Sequence, residues 1–240
     1  MESGELMILF CFTYAGGTLN FFDQLDDCLP QIKFVKLEYS GHGMRHKEPF
    51  YNDFNELAED MYRNIRSYLH GCNSYALMGY SMGSITVIEV LKLIMKRNEI
   101  LLPRHIFLAA HEPHSKTELV SFDENELDEY VKERTIKFGG IPEKLVNNKI
   151  FWRVYLPIYR ADYLIIGKYR FEELSLETKI PATIFYSETD TPLKDMMQWQ
   201  QYFTDNCCFY EFEGNHFFIQ EHYRKMAEII LERLNNSYGI

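Results

Sequence analysis

The stretch Gly79-Tyr80-Ser81-Met82-Gly83 constrains the fold more than any other part of the sequence. It follows Ser74 to Met78, a short apolar run typical of a buried strand, and it leads into an apolar helical pattern that begins at Met82. In a nucleophile elbow, the serine lies on a strained turn between strand and helix, and small flanking residues let the neighbouring backbones pass closely. Gly79 and Gly83 meet that requirement. The pattern therefore predicts a nucleophilic Ser81, and the alternative is a tight turn with a structural serine.

Apolar strand patterns and helical patterns alternate along most of the chain. The other predicted strands are Leu6 to Phe12, Lys33 to Leu37, Arg104 to Ala110, Pro181 to Ser187 and Cys207 to Phe212. The helical patterns between and after them are Leu19 to Cys28, Asp53 to Leu69 with Asp53 as N-cap, and Glu221 to Asn236. This order predicts an α/β fold with a mostly parallel sheet flanked by helices, and ligands bind at the carboxyl ends of such strands.

The stretch from about 115 to 177 interrupts that alternation. It contains a charged helical pattern from Glu124 to Lys137, the breaker Gly139-Gly140-Ile141-Pro142, and the aromatic and aliphatic segment Asn148 to Gly167. Such an insertion predicts a helical lid that shapes a pocket. Aromatic content alone is more often typical of a packed core than of a substrate channel.

Composition limits the class of protein. A chain of 240 residues with 46% hydrophobic residues predicts a single domain over residues 1–240. The formal charge of −10 argues against general binding to nucleic acid or to anionic membranes. No run approaches the roughly twenty apolar residues of a membrane span, and the first five residues are acidic where a secretory signal would be basic. The odd number of five cysteines fits core thiols in a reducing compartment. These features predict a cytoplasmic protein.

Two late loops supply partners for Ser81. In α/β-hydrolases the chain order is serine, then an acid, then histidine, each after a strand. His216 follows the last predicted strand in a loop that contains Gly214. The acid is Asp190, Glu188 or Asp195, and its place before Pro192 favours Asp190. The residues alone leave that choice open.

A glycine-rich loop, Ala15-Gly16-Gly17, follows the first strand. Such a loop can hold phosphate or present a backbone N–H group to an oxyanion. The spacing of a dinucleotide fingerprint and the lysine of a P-loop are both missing. Because a serine elbow lies downstream, we interpret it as an oxyanion loop.

Taken together, these motifs resemble those of the stand-alone type II thioesterases that accompany nonribosomal peptide and polyketide synthases, and the resemblance covers nearly the whole chain. The matching segments are Leu9 to Gly17, Tyr39 to Arg45, Gly79 to Ser84, Leu156 to Tyr163 and Gly214 to Phe218. The resemblance also places the acid on Asp190 and a usual tryptophan on Trp199. Four positions depart from the family pattern without removing a catalytic group: Thr13, Tyr80, Ser84 and Asn215.

This resemblance implies an α/β-hydrolase fold with a lid and a serine thioesterase mechanism. Ser81 would attack the thioester, His216 would take its proton and Asp190 would orient the imidazole. The backbone N–H groups of Met82 and Ala15, with Tyr14 as the alternative to Ala15, would bind the oxyanion. The substrate brings its own phosphopantetheine, so no cofactor and no metal ion is expected.

The implied role is removal of aberrant acyl groups from carrier proteins. Carrier domains are often acidic, as this chain is, so we expect transient binding through a small, mainly apolar surface, and a monomeric enzyme. Arg160 and Asp162 are expected to form an ion pair in the lid. A carboxylesterase or lipase, or a catalytically silent hydrolase-fold binding protein, remains as the alternative.

Overall fold

In a computed structural model, the chain is described over residues 7–69, 74–113, 124–171, 176–204 and 207–236. Six strands form one sheet in the order β2-β1-β3-β4-β5-β6, and every neighbouring pair is parallel. The strands are β1 (Ile8–Phe12), β2 (Lys33–Lys36), β3 (Tyr75–Tyr80), β4 (Ile106–Ala109), β5 (Ala182–Tyr186) and β6 (Cys207–Glu211). The predicted α/β class and all six predicted strands are confirmed, except that Leu6 lies outside the described residues.

Eight α-helices accompany the sheet in the described ranges. They are α1 (Asp23–Asp27), α2 (Phe54–Tyr68), α3 (Met82–Arg97), α4 (Glu124–Phe138), α5 (Glu143–Val146), α6 (Lys149–Lys168), α7 (Leu193–Met196) and α8 (Ile219–Asn236). The predicted helix from Leu19 to Cys28 is a 3-10 turn, Leu19–Phe22, followed by α1.

Two apolar cores cover the two faces of the sheet. Side chains alternate along β1, so that Phe10 joins the core under α2 and α3 while Leu9 joins the core under α1 and α8. Strand β3 is buried along its whole length, as expected for a central parallel strand. This packing fixes the carboxyl ends of β1, β3, β4, β5 and β6 along one edge.

The stretch that interrupts the alternation is helical where it is described. Helices α4, α5 and α6 share a third apolar cluster, which includes Val131, Ile141, Trp152 and Leu156. The side chain of Asn148 caps α6 by accepting hydrogen bonds from the N–H groups of Ile150 and Phe151. The helical patterns predicted here are therefore confirmed as α4 and α6, whereas residues 115–123 and 172–175 of the predicted lid lie outside the described residues.

The described cysteines, Cys11, Cys28, Cys207 and Cys208, are all free thiols, and Cys72 lies outside the described residues. No described helix combines the length and the apolar character needed to cross a membrane.

The cap of α2 yields a stability prediction. The Asp53 side chain accepts hydrogen bonds from the N–H groups of Asn55 (2.8 Å) and Glu56 (3.0 Å). Asp53→Ala is expected to lower the free energy of unfolding by about 1 kcal/mol, because two helix N–H groups lose their acceptor. Asp53→Asn retains a capping oxygen and should stay close to wild type. Urea unfolding of the three proteins measures the difference, and equal losses in both variants would contradict the capping role.

Candidate active site

Ser81 lies on the turn between β3 and α3. Its backbone has φ 55° and ψ −117°, a combination that a residue with a side chain rarely adopts. A Cβ atom on Gly79 would overlap the backbone of Gly83, and one on Gly83 would overlap the carbonyl of Phe12 in β1. The Ser81 N–H donates to the Ala109 carbonyl at 2.7 Å. The two glycines therefore permit a close crossing of α3 over the sheet, and that crossing holds the strained serine.

The structure brings the predicted serine, acid and histidine together. His216 Nε2 lies 2.9 Å from Ser81 Oγ, and His216 Nδ1 lies 2.9 and 3.0 Å from the two carboxylate oxygens of Asp190. The side chains of His216 and Asp190 are 8% and 9% exposed. Since Nδ1 faces a carboxylate, it carries the proton, which leaves Nε2 to accept the Ser81 hydroxyl proton. Their catalytic roles remain predictions.

The three acids that the sequence offered occupy different positions. Asp190 contacts His216, whereas Glu188 accepts a hydrogen bond from the Leu193 N–H group (3.0 Å) at the start of α7. Asp195 lies within α7 itself. The turn that presents Asp190 is closed by a hydrogen bond from its N–H group to the Ser187 carbonyl. The geometry thus favours Asp190.

Two aromatic residues, Tyr80 and Phe138, hold His216 in place. The sequence analysis did not identify either of them as a neighbour of the histidine. The Tyr80 hydroxyl donates to the His216 carbonyl at 2.8 Å. Phe138, the last residue of α4, stacks on the imidazole at 4.2 Å between ring centroids with 25° between planes. The position of Phe138 directly before Gly139-Gly140 was the available signal, because a helix that ends at a glycine pair can deliver its last side chain into a loop cluster.

Two backbone N–H groups were predicted to bind the oxyanion. Met82 is the first residue of α3, so its N–H group has no acceptor within the helix and lies at the positive end of the helix dipole. Ala15 lines the same cavity as Ser81. The next residue, Gly16, has φ +71°, and the Tyr159 ring occupies the space that a Cβ atom would need. The Tyr14 carbonyl accepts from Gly17 N–H and closes this turn.

A buried carboxylate from α6 connects the lid to this loop. Asp162 Oδ2 accepts hydrogen bonds from the Gly16 N–H group (2.6 Å) and from His42 Nε2 (2.9 Å). The side chains of His42 and Asp162 are only 3% and 4% exposed. Helix α6 therefore contacts the backbone next to Ala15 through a charged group that is shielded from water.

The expected ion pair between Arg160 and Asp162 is wrong. Arg160 pairs with Asp128 of α4, with Nε 2.8 Å from Oδ1. Residues two apart on a helix do not face each other, so the two charges point to different partners. Asp162 shares the buried face of α6 with Tyr159 and Tyr163. An acid within an apolar stripe was the signal for a buried partner such as His42.

The contacts around the His42 ring favour its protonated, positively charged form. Its Nδ1 lies 3.0 Å from the Ser40 carbonyl and its Nε2 faces Asp162, so both ring nitrogens meet acceptors and both must donate. Burial alone lowers the pKa of His42, but the adjacent Asp162 carboxylate outweighs burial, and the net shift of this pKa is upward. The pair is a buried cation and anion that stabilise each other.

Ser81 opens into a cavity of about 170 Å³ between the sheet edge and the lid helices. Its wall combines aromatic rings with a few polar groups: Tyr14, His111, Glu112, Arg134, Phe138 and Tyr159. Burial lowers the pKa of His111, which favours its neutral form. Trp199 Nε1 donates to the His111 carbonyl at 2.8 Å, so this tryptophan holds the loop after β4. The described residues contain no cluster of side chains that would bind a metal ion.

Comparison with known proteins agrees with the thioesterase resemblance of the sequence motifs. Residues 7–238 match the family model described as Thioesterase domain. The medium-chain S-acyl fatty acid synthase thioesterase of Rattus norvegicus is 29% identical over 220 residues, which cover 89% of this chain and 81% of that protein.

Solved structures of thioesterases share the fold. The RedJ thioesterase of the prodiginine pathway of Streptomyces coelicolor superposes on this chain with a TM-score of 0.83 at 23% identity. The match covers 96% of this chain and 87% of the RedJ chain. The type II thioesterase YbtT of the yersiniabactin pathway also has a TM-score of 0.83, at 18% identity, with coverage of 100% and 96%.

The contact between Asp162 and Gly16 predicts a catalytic effect at a distance from Ser81. Asp162→Asn removes the negative charge at the oxygen that accepts from both Gly16 N–H and His42, which weakens both hydrogen bonds, so the loop at Ala15 should shift. We expect kcat to fall by about 10²-fold with a smaller change in KM, since misplacement of about 1 Å costs that much. Arg160→Gln, on the same helix but directed at Asp128, is the matched control and should retain kcat. Equal effects in both variants would point to general damage of the lid.

The raised pKa of His42 predicts a pH dependence of stability. The free energy that the His42 charge contributes is fully present below the unfolded-state pKa of about 6.5, and it is lost as pH rises through the higher folded-state value. The stability difference between wild type and His42→Gln should therefore shrink with rising pH. Urea unfolding at a series of pH values measures it. In an Asp162→Asn background, the stability difference caused by His42→Gln should no longer depend on pH. A pH dependence that persists there would come from another group.

Proposed function

The chain belongs to the thioesterase family, and on that premise we propose that it hydrolyses acyl thioesters from the phosphopantetheine arm of carrier proteins that serve nonribosomal peptide or polyketide synthases. Family membership, which the motifs predicted, is confirmed by the family match, and it makes the protein a hydrolase. The observation that carries the proposal is the hydrogen-bonded series from Ser81 through His216 to Asp190, placed on an elbow beneath a lid.

In the first step, Ser81 Oγ attacks the thioester carbonyl while His216 Nε2 takes the hydroxyl proton. The 2.9 Å separation of these two atoms supports a direct transfer. Asp190 remains ionised, holds Nδ1–H in place and stabilises the imidazolium that forms. The tetrahedral oxyanion accepts hydrogen bonds from the N–H groups of Met82 and Ala15, a contribution of about 3 to 4 kcal/mol per donor in serine hydrolases.

The thiol then leaves with the proton that His216 carries. A thiol has a pKa of about 8.5, so it is a better leaving group than an alcohol. The acyl-enzyme on Ser81 is cleaved by a water molecule whose proton passes to His216 Nε2 and then back to Ser81 Oγ. The net reaction consumes one thioester and one water and releases a carboxylic acid and the carrier thiol.

The biological role that fits this chemistry is editing. Removal of aberrant or mis-primed acyl groups would free a carrier thiol for the next cycle. The type II resemblance supports this role, as does the fold shared with thioesterases of the prodiginine and yersiniabactin pathways. Transient contact with a carrier domain is part of the proposal, and a cytoplasmic, monomeric protein without cofactor or metal remains our prediction.

Substrate kinetics test the proposal. Wild type is expected to prefer acyl groups on a carrier protein over p-nitrophenyl esters of the same acids, in terms of kcat/KM. A clear preference for the oxygen esters would favour a carboxylesterase instead.

Removal of the nucleophile tests the mechanism separately. Ser81→Ala should lower kcat by about 10⁴-fold or more and abolish labelling by a fluorophosphonate, because no other group attacks the carbonyl. Asp190→Asn should cause a loss of similar order, since the wrong imidazole tautomer would be favoured. Glu188→Gln is the control in the same loop and should leave kcat close to wild type. Absence of labelling in folded wild type would favour a silent binding protein.

A further inference from the structure

Helix α6 has an exposed apolar stripe on the side opposite its buried one. Trp152, Leu156 and Tyr159 face the interior. On the other side, the side chains of Ile150 and Val154 are 67% and 54% exposed and lie four residues apart, with exposed Pro157 one turn further on. A helix that is apolar on two sides is expected to be covered on both.

Unpaired cations surround this stripe. Lys149 and Arg153 adjoin Ile150 and Val154 on the same exposed side of α6, and Lys144 lies on α5 directly before it. Within the described ranges, none of the three has an ion-pair partner. Several basic residues elsewhere do have one: Lys36, Arg45, Arg66, Lys92, Arg97 and Lys132 each contact a carboxylate. We call Lys144, Lys149, Ile150, Arg153 and Val154 the lid face.

The lid face is basic, although the protein as a whole is acidic. Residues 137 to 153 hold four basic side chains and one acidic side chain, whereas the whole chain has a formal charge of −10. Opposite charges at a protein surface attract a partner and orient it during approach. The partner that fits is therefore acidic, with a modest apolar area at its contact surface.

The lid face also lies close to the cavity. Tyr159 lines the cavity and is six residues from Arg153, about 9 Å along α6 at 1.5 Å per residue. Gly140 lines it too and is four residues from Lys144. Phe138, which stacks on His216, lies two residues before Gly140 and directly after the exposed Lys137. An arm that enters the cavity can thus stay attached to a partner that rests on the lid face.

We propose that the lid face is the docking site for the acidic carrier domain whose phosphopantetheine arm delivers the acyl group to Ser81. The inference rests on the proposed function and adds the surface that recognises the partner. Lys144, Lys149 and Arg153 face carboxylates of the carrier and the phosphate at the base of the arm, while Ile150 and Val154 cover an apolar patch of the carrier. Attraction through this patch replaces the weak or repulsive steering that the net charges predict.

Charge reversal tests the site. Lys149→Glu with Arg153→Glu should raise KM for an acylated carrier protein by roughly tenfold or more and leave kcat and the hydrolysis of an acyl N-acetylcysteamine thioester unchanged, because rim charges act on association. Lys33→Glu with Lys96→Glu is the matched control. It changes the net charge equally at the start of β2 and the end of α3, the opposite edge of the sheet, and should leave KM unchanged.

Two further measurements separate the components. Ile150→Ser with Val154→Ser, a change confined to exposed side chains, should raise KM for the carrier substrate several-fold. Added salt should weaken wild-type binding of an unacylated holo-carrier, measured by fluorescence anisotropy, and should affect the charge-reversed variant much less. Binding is read without catalysis here, so it tests the lid face independently of hydrolysis.

The outcomes distinguish this inference from the proposed function. If wild type cleaves neither thioester, the proposed function fails, whereas the anisotropy still decides whether a carrier binds. Unchanged KM in both lid-face variants, with normal cleavage of the small thioester, would overturn the docking site. Two other results would also overturn the docking site if carrier binding were the same in wild type and in the charge-reversed variant. One is binding of the lid face to phosphatidylglycerol vesicles, and the other is a dimer that the charge reversal disrupts.

Discussion

The close crossing of α3 over the sheet is the constraint on which the site depends. Gly79 and Gly83 let the first turn of α3 approach β1 and β3, so that the strained backbone of Ser81 is held by neighbours on both sides. The hydrogen bond from Ser81 N–H to the Ala109 carbonyl connects the turn to β4 as well. Because the strands are parallel, the loops that carry Asp190 and His216 emerge at the same edge. A larger residue at either glycine would move the serine before it affected any catalytic group directly.

The lid contributes to the site itself and not only to its cover. Phe138 lies on the imidazole of His216, while Asp162 holds the backbone beside Ala15. These contacts come from α4 and α6, which pack against each other through their own apolar cluster. The histidine and the oxyanion loop are therefore both in contact with one group of helices, and the geometry around Ser81 depends on where that group rests.

The succession of strands along the chain and the positions of Ser81 and His216 could be predicted, because each depends only on a local sequence pattern and on chain direction. The choice of Asp190 over Glu188 and Asp195 depended on the shape of a loop, which the residue types do not determine. Pairing Arg160 with Asp162 failed because proximity in sequence was given more weight than helical geometry. The stacking of Phe138 on His216 joins segments from the lid and from the last loop, and no spacing rule connects them.

Asp162, His42 and Gly16 come from three distant parts of the chain and meet at one carboxylate oxygen. A substitution at any one of the three positions therefore changes the hydrogen bonds of the other two. A lid transplanted from a relative would bring its own residue to this point, and it would function only if the loops after β1 and β2 offered matching donors. The interchangeable unit of this fold is therefore the lid together with both loops, even though the lid is continuous in sequence and the loops lie far from it.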